Sequence, residues 1–192
     1  MLHQFAERLK RNDTAREGSL LYLTKPLGIG ITTTAQKKGI VKDEHLQTAV
    51  RSMLTLNKPG AVFGKLPYVS AMTDVTGFGL LGHLSEVCEG SVLSAEIEFQ
   101  KIPKFDFLDE YLQQKSVPGG TQRNWDSYGH KIGSLGEMQR AILADPQTSG
   151  GLLVCVDPHH AADFEKAAQS LGLSLQSFGK LVKQQEKLVN IK

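Results

Sequence analysis

The sequence predicts an α+β domain: a mixed sheet covered by helices, in the manner of an α/β sandwich. Three observations lead there. Short apolar runs such as LLYLT (20–24) and LLVCV (152–156) have strand length and strand composition. Other segments carry apolar residues at helical period. The two kinds are interleaved without the strict alternation of a parallel α/β fold.

In chain order, the stretch through Gly18 is polar, with KRNDT reading as a solvated linker, so residues 1–18 are expected to be linker and 19–192 the domain. LLYLT is a strand ended by Lys25-Pro26, after which Gly28 and Gly30 loosen the chain before 31–35. Leu46, Ala49, Val50, Met53 and Leu54 predict a helix over 43–57, capped by Asp43 and ended by Pro59-Gly60. Residues 68–72 read as a buried strand, and 79–89 as a helix stopped by Gly90. Alternation at Leu93, Ala95, Ile97 and Phe99 marks a half-buried strand. A short helix over 105–113 precedes an irregular, turn-rich region over 116–133, long enough to imply function. Residues 135–144 are helical, DPQTSGG (145–151) is a loop, and LLVCV is a strand. Pro158 opens an amphipathic helix ended by Gly172. The remainder, 173–182 and 187–191, reads as a strand pair.

With 192 residues, 40% hydrophobic and 22% charged, the chain has the makeup of one globular domain. A net charge of +2 gives no argument for nucleic acid or a membrane surface as partner. Two distant cysteines, Cys88 and Cys155, form neither a disulfide framework nor a zinc spacing, and read as buried structural thiols. No apolar run approaches bilayer length. MLHQFAERLKRNDTA lacks the apolar core of a signal peptide, so a cytoplasmic location is the expectation.

TDVTGFGLLGH (73–83) poses the sharpest question. Gly77, Gly79 and Gly82 spell the letters of a dinucleotide-binding turn, a strand precedes them, and Glu96 and Glu98 lie about 20 residues on, where a ribose-binding acid is expected. Against this, TDVT separates strand from glycines, and Asp74 would repel a pyrophosphate. Asp74 reads either as a turn or helix cap or as a hard-cation ligand, with further ligands supplied from elsewhere. DPQTSGG reads either as a turn with Gly150 and Gly151 at positive φ, or as a nest of N–H groups facing an anion. PGGTQRN (118–124) allows the same two readings. Arg123 is a solvated side chain or a phosphate contact, Trp125 an anchor or a lid residue. His83, on the helix, reads as a satisfied core or surface histidine before a base, and His159 and His160 fall in a helix's first turn with no ligand constellation around them.

Taken together, KRNDTA (10–15), LTKPLGIG (23–30), TDVTGFGLLGH, PGGTQRN, SYGH (127–130) and DPQTSGGLL resemble the C-terminal half of selenophosphate synthetase (selenide, water dikinase). The resemblance runs from about Lys10 to Val182 and is carried by six motifs in register. It implies the C-terminal fold shared with aminoimidazole ribonucleotide synthetase. It also implies a reaction in which ATP, selenide and water give selenophosphate, AMP and phosphate, with Mg²⁺. Asp74 corresponds to the family's aspartate in that magnesium site. The implied partners are ATP, selenide, an N-terminal domain that carries the reactive cysteine or selenocysteine and the essential lysine, and a second copy in a homodimer. No catalytic residue carries over to this chain. The expectation is therefore a domain inactive by itself; the other reading is a stand-alone binding module paired with a separate N-terminal half.

Overall fold

The computed structural model describes residues 10–192. The first half of the expected linker, residues 1–9, lies outside the described residues. The elements run β1 (Leu20–Leu23), α1 (Ile29–Lys37), α2 (Asp43–Leu54), α3 (Pro59–Phe63), β2 (Val69–Asp74), α4 (Gly79–Ser91), β3 (Leu93–Ile97), α5 (Leu108–Gln113), α6 (Gly119–Tyr128), α7 (Glu137–Leu143), β4 (Leu152–Val156), α8 (Ala161–Ser170), β5 (Gly179–Lys183) and β6 (Val189–Ile191).

The strands form one six-stranded sheet in the order β2-β4-β1-β5-β3-β6. Its pairings are antiparallel except β3 with β6, so the sheet is mixed, as the interleaved sequence pattern requires. Side chains alternate across it. From β1 and β4, Leu21, Leu23, Leu153 and Cys155 enter the larger core beneath α1, α2, α4 and α5. Tyr22, Val154 and Val156 point the other way and meet Phe63 and Phe164 of α3 and α8. The rings of Tyr22 and Phe63 each lie 4.8 Å from that of Phe164. The sheet is thus buried on both faces around β1 and β4.

Several local expectations are corrected. Gly90 lies inside α4, which ends at Ser91 with Val92 left-handed at φ 57°. Gly90 is glycine because a Cβ there would come within 2.7 Å of the Asp13 side chain. The expected linker is not among these corrections: its described part, residues 10–18, is intermediate or exposed throughout and touches the sheet edge, where the Met72 N–H donates to the Arg11 carbonyl (3.3 Å) and the Thr14 hydroxyl to that of Ser70 (2.7 Å). The supposed irregular region contains α6, and Pro59-Gly60 opens α3 as well as following α2. The strand expected over 173–182 begins only at Gly179, as β5, and β5 and β6 flank β3 instead of pairing with each other. The stretch after Gly172 packs Leu173 and Leu175 on the second core face.

Candidate functional site

β2 is an edge strand, and its last residue, Asp74, is exposed where the strand leaves the sheet. Asp74 lies in a broad depression of about 610 Å³ together with Lys10, Asp13, Asn57 and Thr73. Asp13 is committed to an ion pair with Arg11, which holds its carboxyl below the usual carboxylate range. Among the described residues no three His, Cys, Asp or Glu side chains cluster as a metal site. Asp74 is therefore a single hard oxygen donor on an open surface, suited to one position of a cation's coordination shell and not to the whole of it.

The chain beyond Asp74 is tied down by its backbone. The Val75 N–H donates to the Gly151 carbonyl (2.8 Å), extending the β2 ladder by one residue. The Thr76 carbonyl accepts from the N–H groups of Gly79 and Gln147, both at 3.0 Å. Asn124 of α6 donates through one Nδ2 to the carbonyls of Gly77 (2.8 Å) and Ala144 (3.0 Å). The Tyr128 hydroxyl donates to the Phe78 carbonyl (2.7 Å). Four separate sequence motifs, TDVTGFGLLGH, PGGTQRN, SYGH and DPQTSGGLL, thus meet in one hydrogen-bonded body beneath Asp74.

The glycines of TGFGLLG serve different ends. Gly79 sits at φ 68°, and a Cβ on it would meet the backbone of Ala144 at 2.8 Å. A Cβ on Gly82 would lie 2.5 Å from Phe78 and 2.9 Å from the Tyr128 ring. Gly77 is exposed, and a Cβ there would touch nothing within 4 Å. Two of the three are needed for packing; Gly77 has no such neighbour.

The dinucleotide reading fails on topology. β2 lies at the edge, antiparallel to β4, whereas that fold places its first strand inside a parallel sheet. Glu96 pairs with Lys192 at 2.9 Å and Glu98 with Lys101 at 2.8 Å.

DPQTSGG works opposite to an anion nest. Asp145 and Gln147 are acceptors: Asp145 Oδ2 takes the Gly30 N–H (2.9 Å), and Gln147 Oε1 takes those of Gly28 and Ile29 (3.2 Å each). These are the free N–H groups at the start of α1, so the loop caps that helix from a distance. Gly150 and Gly151 are not at positive φ; Ser149 is, at 49°. Their need is space, since a Cβ on Gly150 would fall 2.0 Å from the Val75 carbonyl oxygen and one on Gly151 2.5 Å from the Lys25 nitrogen. Lys25 is buried and donates to the carbonyls of Thr55 (2.6 Å) and Ser149 (2.7 Å); burial lowers its pKa.

The other candidates fall out as follows. His83 is buried between the Thr76 hydroxyl and the Glu86 carboxylate, each at 3.2 Å. His159 and His160 stand in the turn before α8, where His160 meets Asp163 at 3.0 Å and stacks on Tyr68. Arg123 is exposed. Trp125 packs on the larger core as an anchor, with the Arg140 guanidinium 5.7 Å from its ring centroid. Cys88 and Cys155 are buried free thiols, and burial pushes Cys88 up to about 12 and raises Cys155 as well. Asn124, Asp145, Gln147 and Lys25 were missed as organising residues. In sequence they stand out only as polar residues within the glycine- and proline-bearing motifs, none of them next to a glycine.

Fold and site together define a class: a mixed-sheet α+β domain offering a rigid backbone rim and one exposed carboxylate. The family model described as "AIR synthase related protein, C-terminal domain" matches residues 16–192, and the chain belongs to that family. It is 55% identical over 183 residues to the selenide, water dikinase of Pseudomonas putida, covering 95% of this chain and 53% of that protein. The chain thus spans about half the length of such relatives, in keeping with the resemblance to a C-terminal half. Among solved structures, the thiamine-monophosphate kinase of Stenotrophomonas maltophilia superposes with a TM-score of 0.65 at 17% identity, covering 95% of this chain and 52% of that one. The hydrogenase maturation protein HypE of E. coli gives 0.67 at 17%, covering 95% and 48%. At such identities the structural likenesses establish the shared fold.

Proposed function

We propose that this chain is the C-terminal domain of an ATP-dependent selenophosphate synthetase, residues 1–18 being linker and 19–192 the domain. The whole enzyme converts ATP, selenide and water to selenophosphate, AMP and phosphate. The supporting observation is the 55% identity to a selenide, water dikinase across 95% of the chain. No helix among the described residues is long and apolar enough to cross a membrane, and the proposed reaction is a cytoplasmic one.

Within that reading Asp74 contributes one ligand to Mg²⁺. Its exposed carboxylate at the end of an edge strand fits the role, and the open face at Gly77 leaves room for a ligand to approach the backbone. Magnesium, when bound, neutralises triphosphate charge. The chain's own contribution is positional. Asn124, Tyr128 and Gln147 hold the backbone after Asp74, so the carboxylate is presented from a fixed rim. The remaining ligands, the reactive cysteine or selenocysteine, the essential lysine and the homodimer interface belong to the N-terminal domain.

The test is phosphorus NMR of Mg·ATP and selenide with an N-terminal half supplied in trans, with this chain, with Asp74→Asn, or with neither. Selenophosphate only with the unmodified chain is the expected result. Equal yield from Asp74→Asn would remove Asp74 from the metal site. Equal yield without either would remove the chain from the reaction.

A further inference from the structure

A second cavity, of about 520 Å³, opens between α5, α6 and α7 and shares no lining residue with the Asp74 depression. Its volume is that of a small-molecule site. Leu112, Val117, Met138 and Ala141 give it an apolar lining, and Val117 and Met138 are 39% and 47% exposed there. Four charged residues also line it, the acids Asp109 and Glu137 and the bases Lys115 and Arg140. Although they share one cavity, none of the four forms an ion pair among the described residues. Thr121, also in the lining, is 3% exposed and keeps a buried hydroxyl with no protein partner.

We propose that this cavity binds a small zwitterion with an apolar body: a free apolar amino acid or a dipeptide. A net-neutral set of two acids and two bases beside an apolar lining matches a ligand carrying one ammonium, one carboxylate and a hydrocarbon side chain. An anion alone would leave Asp109 and Glu137 facing a like charge, and a cation alone would do the same to Lys115 and Arg140. Arg140 is the natural carboxylate fork, and Trp125, the chain's only tryptophan, lies beneath its guanidinium and reports on it. The cavity wall includes α6, whose Asn124 holds both Gly77 and Ala144, so occupancy bears on the helix that fixes the Asp74 rim.

The experiment is a ¹H–¹⁵N NMR titration of this chain with leucine, leucyl-leucine, N-acetylleucine and leucinamide, with Trp125 fluorescence in parallel. Saturable shifts at Val117, Thr121 and Met138 are expected with leucine or leucyl-leucine, and the tighter of the two identifies the source. Binding should weaken about tenfold for N-acetylleucine, which lacks the ammonium, and for leucinamide, which lacks the carboxylate. Glu137→Gln and Arg140→Gln should weaken the zwitterion similarly; Glu137→Gln leaves the Arg140–Trp125 pair in place, which separates ligand loss from local rearrangement. No saturable shift with either zwitterion, equal shifts from all four compounds, or shifts unchanged in both variants would overturn the proposal.

Discussion

Asp145 is an enclosed carboxyl whose two oxygens are treated unequally. Oδ2 accepts from Gly30 and from the Gln147 amide, while Oδ1 has no partner. Burial pushes its pKa up to about 7, with the hydrogen bonds from Gln147, Ile31 and Gly30 pulling the other way. An aspartate in the unfolded chain titrates near 4. Between about pH 4 and pH 7, therefore, the folded chain keeps a proton that the unfolded chain has released, and stability falls as pH rises. Below that window this group costs nothing; above it the loss is complete, with a ceiling of about 4 kcal/mol. Asp145→Asn keeps the shape and cannot titrate. The difference in urea midpoint between variant and parent should move in the variant's favour across the window and flatten above about pH 7. A difference constant across the window would mean that the start of α1 holds Asp145 ionised throughout.

At the scale of elements, the turn into α4 separates two glycines that look alike in sequence. Gly79→Ala must place a side chain at φ 68° against the Ala144 backbone, and a loss above about 2 kcal/mol is expected. Gly77→Ala meets no neighbour and should stay within about 0.5 kcal/mol. Thermal unfolding distinguishes them, since 1 kcal/mol moves Tm by about 2–4 °C in a chain of this size. Asn124→Asp is a third test: it replaces a donor shared by two carbonyls with an acceptor, and should cost about 2 kcal/mol or more. The same residues show why some elements were legible and others were not. α4 was legible because Leu80, Leu81, Leu84 and Val87 are both apolar and buried. α6 was not, because the residues it buries are Thr121, Asn124 and Tyr128, at helical spacing but largely polar. α1 was hidden by ITTT, whose β-branched residues disfavour a helix until Asp145 and Gln147 cap it from more than a hundred residues away. Asp74 stands out in the sequence as a carboxylate just ahead of three glycines, and only the family resemblance favours a metal role for it; Lys10, Asp13 and Asn57, which share its depression, come from distant segments that periodicity cannot join.

At the scale of the whole molecule, β1 and β4 contribute to both cores, so the two faces should not unfold separately. Phe164→Ala, in the smaller core, should cost about 3–5 kcal/mol and shift Trp125 fluorescence, which reports the larger core, by the same amount as far-UV circular dichroism. Transitions that separate would show two cooperative units. The same single body bounds what the chain does alone. Phosphoryl transfer rests on positioning and charge neutralisation, and Mg²⁺ in a triphosphate site takes octahedral oxygen coordination. Asp74 offers one carboxylate, Asp13 is held by Arg11, and no three candidate ligands cluster among the described residues. On the proposed half-site reading, the isolated chain should fold but form no AMP from Mg·ATP and selenide, and turnover should appear only when an N-terminal half is added. A selenide-dependent AMP signal from the chain alone, lost in Asp74→Asn, would overturn the half-site and make Asp74 the centre of a complete one.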